Sequence, residues 1–137
     1  MKLLAHKILE NNVNSHWWNV AKEKILLDVI NSLSLPFEIN ALEPGVGAGY
    51  LLDKLNFKEK FGIDLYACQE RSPGFRFIKA DAEHLPFKNN AVELLLLIDM
   101  LEHVANDEKL IEDCFKILKR NGFMIIFVPA LKALWSD

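Results

Sequence analysis

Between Ala91 and Asp99 the chain reads Val92-Glu93-Leu94-Leu95-Leu96-Leu97-Ile98, an almost unbroken apolar run. A strand with one face in water alternates apolar and polar residues, whereas a run of this kind fits a strand buried on both faces of a parallel sheet. Phe123–Val128, closed by Pro129, is a second such run. Phe37–Glu43, Phe61–Leu65 and Phe75–Lys79 read as three earlier strands, the last entered through the turn pair Pro73-Gly74. Helical patterns alternate with them. One covers about 15–34, where Trp18, Ala21, Ile25, Val29 and Leu33 form a stripe that Pro36 ends. A second covers Tyr50–Leu55. A third covers about 106–120, with Asn106 or Asp107 as cap and Leu110, Ile111, Cys114 and Leu118 as its apolar stripe. Lys116, Lys119 and Arg120 suit its negative end, and Asn121-Gly122 reads as a left-handed stop. Strands alternating with helices predict an α/β, doubly wound, mostly parallel sheet. The nine residues between Leu65 and Phe75 are too few for a crossover helix and predict a loop or a single turn.

The chain has 137 residues, near the commonest domain size, and shows no repeat or composition break, so one domain over 1–137 is expected, with its core at about 37–130. Apolar residues are 51% and charged residues 26%, ordinary globular usage that excludes wholesale disorder. Sixteen basic against nineteen acidic residues give a net charge of −3, which argues against nucleic acid as a partner. No apolar run approaches the roughly 20 residues of a membrane span. Cys68 and Cys114 have no metal-type spacing and are too few for a disulfide scaffold. With no secretory signal in Met1–Leu9, a reduced, cytoplasmic setting is expected.

In parallel sheets ligands bind at the carboxyl ends of the strands. Gly45-x-Gly47-x-Gly49 lies between the first strand and the helix behind it. Glycines there permit positive φ angles and a close approach of ligand atoms, and a helix start offers unpaired N–H groups. Asp64, with Leu65 beside it, ends the second strand, where a carboxylate can accept from both hydroxyls of a ribose. Asp81 ends the third strand and Asp99 the fourth. A dinucleotide fingerprint needs a third glycine at position 50, which is Tyr50.

Leu42-Glu43-Pro44-Gly45-Val46-Gly47-Ala48-Gly49 resembles the first motif of class I S-adenosylmethionine-dependent methyltransferases, and Gly62-Ile63-Asp64 resembles their ribose-binding acid. Ile78–Phe87 is similar to the adenine-side motif of the small-molecule methyltransferases of types 11 and 12. Asp99–Val104 and Leu118–Phe123 resemble the fourth- and fifth-strand motifs. The resemblance covers roughly residues 38–130. It implies a Rossmann-like sheet with five strands of the family's seven, hence a C-terminally truncated domain. It also implies S-adenosylmethionine as cofactor and a small-molecule acceptor. Gly45, Gly47 and Gly49 would then face the methionine half, and Glu43 would orient the loop and the ammonium. Asp64 and Leu65 would lie at the ribose, Asp81 and Ala82 at the adenine edge, and Asp99 near the amino acid moiety.

His103 is the candidate base, since imidazole titrates near neutrality. Asp99-x-x-Glu102-His103 also resembles a metal-binding pattern of some O-methyltransferases, but Asp replaces its first Glu, and a structural role with no metal is the expectation here. His16-Trp17-Trp18 is similar to the start of a bacterial subgroup; Trp18, Phe57, Phe61, Phe75 and Phe77 are expected in the core. Two other functions stand beside methyl transfer: a noncatalytic module that binds the cofactor or a partner, and a nicotinamide oxidoreductase, which Tyr50 and Asp81-Ala82 disfavour. With no sixth and seventh strands, Phe123–Val128 would be a bare sheet edge, and a homo-oligomer paired through it is expected unless Ala130–Asp137 folds back over it.

Overall fold

Apolar residues occur on nearly every side of the first helical segment, so its periodicity alone does not choose which face is buried. In the computed structural model, which describes residues 17–66 and 73–129, α1 spans Trp17–Ser32 and buries Leu26 and Ile30. The stripe expected through Ile25 and Val29 is instead 52% and 43% exposed. One residue along a helix turns the face by about 100°, and Ile25-Leu26 and Val29-Ile30 are apolar neighbours that fit either orientation. Leu33 and Ser34 close the helix by i→i−3 bonds, Ser34 at φ 50°, before Pro36. The described residues fall into two units divided after Pro36, and α1 belongs to the first.

The second unit is the sheet. Its strands are β1 Asn40–Pro44, β2 Glu59–Asp64, β3 Arg76–Lys79, β4 Val92–Ile98 and β5 Leu118–Phe127, in the order β3-β2-β1-β4-β5. All pairings are parallel. The α/β class, the parallel sheet and all five strands are as expected. Leu94, Leu95, Leu96 and Leu97 are wholly enclosed. Leu95 and Leu97 join Leu42, Ile63 and the buried residues of α3 (Asp107–Ile117), namely Leu110, Cys114 and Ile117, in one core cluster. Burial pushes the Cys114 thiol up to about 12, so it packs as a small apolar group. Of the aromatics expected in the core, Trp18 is exposed, and Phe57, Phe75 and Phe77 are half-buried. Phe61 is half-buried but packed against the core cluster, where it meets Phe87 edge to face with Arg76 over its ring.

Glu93 is the one charge inside β4. Its carboxylate accepts from the Asn40 backbone N–H (2.8 Å) and from Lys119 Nζ (2.6 Å), tying the start of β1 to β4 and β5. Burial opposes its charge, but those donors hold it below the usual carboxylate range.

Two expectations change at the end of α3. The helix stops at Ile117, and Lys119 and Arg120 belong to β5. Asn121 is left-handed (φ 65°), yet it does not end a helix. The register jumps from Val92↔Leu118 to Leu94↔Phe123, so Asn121-Gly122 is a bulge within β5. A Cβ at Gly122 would lie 2.9 Å from the Glu93 carbonyl oxygen. Helix α2 (Tyr50–Lys54) is a single short segment, and the Lys60 ammonium covers its end by donating to the Asp53 and Leu55 carbonyls. The loop foreseen between Leu65 and Phe75 and the tail from Ala130 lie mostly outside the described residues.

The Asn106 side chain accepts from the Lys109 N–H at 2.9 Å and caps α3. Asn106→Ala is therefore expected to lower stability by about 1 kcal/mol in urea unfolding, with an unchanged m-value.

On the same helix, hydrogen bonds from Lys109 and Lys116 hold the Asp113 carboxyl down at about 2, against 3.8 ordinarily. A lowered carboxylate pKa contributes stability that is present above the unfolded value and is lost as pH falls through the folded one. The melting temperature should drop between pH 3.8 and about 2, and Asp113→Asn should flatten that drop.

Candidate functional site

The sheet order reverses at β1. The chain leaves β1 toward β2 and β3 on one side and returns to β4 and β5 on the other. At such a switch point the loops after the two neighbouring strands part and leave a crevice. The segment entering it from β1 is Gly45–Gly49, and from β4 it is Asp99 onward.

All three glycines of the loop have positive φ: 73° at Gly45, 52° at Gly47 and 74° at Gly49. Their surroundings differ. A Cβ at Gly45 would meet the Met100 sulfur at 2.5 Å, and one at Gly49 would enter the Phe75 ring, whereas one at Gly47 meets nothing within 4 Å. Gly45 and Gly49 are thus closed against the protein, and Gly47 faces open space.

The loop is held by β2. The Gly45 and Val46 N–H groups both donate to the Ile63 carbonyl, at 2.8 and 3.0 Å. Asp64 Oδ2 accepts from the Gly47 N–H and Asp64 Oδ1 from the Tyr66 N–H, each at 3.0 Å. Leu65 between them is exposed. Glu43, paired in register with Gly62, is the one charged residue buried among those described, 6% exposed.

Asp81 lies two residues beyond β3, in a turn. Its Oδ1 accepts from the Glu83 N–H and its carbonyl from the His84 N–H, both at 2.9 Å. Ala82 is buried. The Ala80 N–H donates to the Asp64 carbonyl, which sets this turn beside the end of β2. Glu83 ties it to the region after β4: Oε1 accepts from the Ala105 N–H and its carbonyl from Lys109 Nζ.

Asp99 follows β4 with φ 49°, a strained value for a residue with a Cβ. Its N–H donates to the Phe127 carbonyl at 2.9 Å, which keeps the strand paired up to the turn. His103 is exposed and closes the 3₁₀ turn Leu101–His103 through its N–H to the Met100 carbonyl. Glu102 in that turn buries Oε2 with no hydrogen-bond partner among the described residues. No group of three His, Cys, Asp or Glu among the described residues is placed to hold a metal ion.

Glu43, Gly45, Gly47, Gly49, Asp64, Leu65, Asp81, Ala82 and Asp99 therefore all lie at the carboxyl ends of β1 to β4, and His103 lies one turn further on. Sequence reasoning overlooked Phe75 and Met100, the side chains against which the glycines close. It also gave Gly62 no role. A Cβ there would lie 2.6 Å from Phe75 and 2.8 Å from both Val46 methyls. Glycine inside a strand marks such close approaches, and that signal is present at Gly62.

A family model described as a methyltransferase domain matches residues 42–126, more than half of the chain. A protein of Methanocaldococcus jannaschii is 36% identical over 88 residues, covering 62% of this chain and 42% of that protein. The ubiquinone/menaquinone biosynthesis C-methyltransferase of Campylobacter jejuni is 21% identical over 136 residues, 89% of this chain and 56% of that enzyme. Among solved structures, an S-adenosylmethionine-dependent methyltransferase from Thermotoga maritima superposes with a TM-score of 0.64 at 27% identity, covering 88% of this chain and 59% of that one. The chain thus spans about half the length of the relatives it matches. On fold, motif order and family model together, it belongs to the methyltransferase-domain family, with the Rossmann-like fold of the class I S-adenosylmethionine-dependent methyltransferases.

Proposed function

We propose that this chain binds S-adenosylmethionine in the crevice after β1 and β4 and serves methyl transfer to a small-molecule acceptor in the cytoplasm. The observation that carries the reading is Gly47. Its φ of 52° and the open space where a Cβ would stand leave this position accessible in a loop whose other two glycines close against protein. That is the fit expected of a backbone cradle for a ligand. Glu43 orients the loop and the cofactor's ammonium, Asp64 with Leu65 takes the ribose, Asp81 and Ala82 take the adenine edge, and Asp99 takes the amino acid end. The cofactor, when bound, supplies a sulfonium-activated methyl carbon. The chain's own residues then have to align the acceptor, exclude water and take up a proton where the acceptor carries one. His103, exposed on the turn after β4, is the residue we assign to that proton, at an imidazole nitrogen.

Calorimetry against S-adenosylhomocysteine tests the reading, with NAD as control. Wild-type protein should bind the first and not the second. Gly47→Val should abolish that binding and cost only about 1–2 kcal/mol of stability, from the left-handed backbone. Gly49→Ala should instead lower the melting temperature more, because its Cβ meets the Phe75 ring. Normal binding by Gly47→Val would show the loop to be an ordinary turn.

We also propose that β5 mediates self-association. Among the described residues it is a sheet edge, with Phe123, Ile126 and Val128 exposed and no lysine or proline in Phe123–Val128 to blunt it. Amide protection over 123–127 should rise with protein concentration, alongside the mass measured by light scattering. Concentration-independent exchange in a monomer would overturn it.

A further inference from the structure

Asp64 already has two partners before any ligand is considered. Oδ2 accepts from the Gly47 N–H and Oδ1 from the Tyr66 N–H, both at 3.0 Å. An ionised carboxylate offers about four acceptor sites, so two remain for a ligand. The first of these bonds matters because of what else holds the loop. Gly45 and Val46 are anchored on the Ile63 carbonyl, and Gly49 donates to the Val46 carbonyl at 2.9 Å. A Cβ at Gly47, at φ 52°, would meet nothing within 4 Å. The Val46–Gly47 peptide is held at its carbonyl by Gly49 and at its N–H by Asp64, so the Asp64 bond fixes the side of that peptide that faces β2.

We propose that Asp64 is a positioning residue as well as a ligand-binding one: its carboxylate latches the Gly47 peptide in the conformation that receives the methionine half. The inference rests on the cofactor reading above. It separates two effects that one alanine substitution would merge, the loss of a ribose contact and the loss of loop geometry. Asp64→Ala removes both acceptors. Asp64→Asn keeps the shape but leaves one of the two N–H groups facing an amide nitrogen.

The experiment compares wild type, Asp64→Ala and Asp64→Asn for binding of S-adenosylhomocysteine and of its analogue lacking both ribose hydroxyls. Residue-resolved amide exchange is then measured on the ligand-free proteins. The analogue has no hydroxyl to give Asp64, so a pure ribose role predicts equal affinity in all three proteins. The latch predicts about tenfold weaker analogue binding in Asp64→Ala, as expected for a lost charge-assisted bond, and an equal or smaller loss in Asp64→Asn, which keeps one acceptor oxygen. It also predicts Gly47 exchange at least tenfold faster, with Gly45 and Val46 still protected. Equal analogue affinity overturns the latch. Loss of protection at all three amides means a general collapse of the turn and also counts against it. Where the analogue binds wild type too weakly to measure, the exchange comparison decides. If wild type binds S-adenosylhomocysteine not at all, the cofactor reading falls, and Gly47 exchange still upholds or overturns the latch.

Discussion

Strand β4 is enclosed on both faces, with Leu94 through Leu97 removed from water, and a strand of that kind needs a partner on each side and cover above and below. Each enclosed leucine contributes on the order of 2 kcal/mol of transfer free energy. The run therefore dominates the choice of fold. β1 and β5 flank it, α3 covers one face through Leu110, Cys114 and Ile117, and Glu93 bonds to Asn40 and Lys119 at its lower end. Everything at the upper end follows. With β4 beside the central strand β1 and parallel to it, the loops after these strands part there, and the glycine segment and Asp99 are brought to the same end of the sheet.

The site is then made by backbone more than by side chains. Four residues after β1 and β4 hold left-handed conformations, three glycines and Asp99. Glycine adopts them freely and Asp99 only under strain, and all four are fixed in place by neighbours. Here the neighbours are the Ile63 carbonyl, the Asp64 carboxylate, the Met100 sulfur, the Phe75 ring and the Phe127 carbonyl. They come from β2, from the entry to β3, and from β4 and β5, so loop geometry depends on the assembled sheet. A loop built this way has little to rearrange when a ligand arrives, which lowers the ordering cost of binding.

The parts of this fold that were legible in the sequence are those in which one residue type admits one solution. β4 was readable because a short apolar run, too brief for a buried helix, stands between turn residues in a chain that alternates strands with helices. The glycine loop was readable because its spacing falls directly after a strand. The start of α3 was readable to within one residue, with Asn106 or Asp107 as cap, and the structure selects Asn106, whose side chain accepts from the Lys109 N–H. The face of α1 was not, since Ile25-Leu26 and Val29-Ile30 satisfy a helix in two orientations, and only tertiary contacts choose. Asn121-Gly122 was misread for a related reason. The pair specifies a left-handed residue, but that conformation serves a helix end and a strand bulge equally well. Phe75 and Met100 were invisible because their role is steric and long-range. No local pattern in the chain says which ring will close against which glycine.

The contrast among the three glycines separates packing from backbone conformation within five residues. At Gly45 and Gly49 an added Cβ would run into the Met100 side chain and the Phe75 ring, so packing as well as the left-handed backbone opposes a larger residue. At Gly47 packing does not require a glycine, and the backbone alone does: a Cβ at φ 52° costs about 1–2 kcal/mol even though the space beside it is open. The two carboxylate oxygens of Asp64 take one N–H each, from Gly47 and from Tyr66, which a neutral amide with a single oxygen cannot do. The fold thus uses both oxygens of the carboxylate and still leaves about two acceptor sites over, at the end of β2 beside the glycine loop.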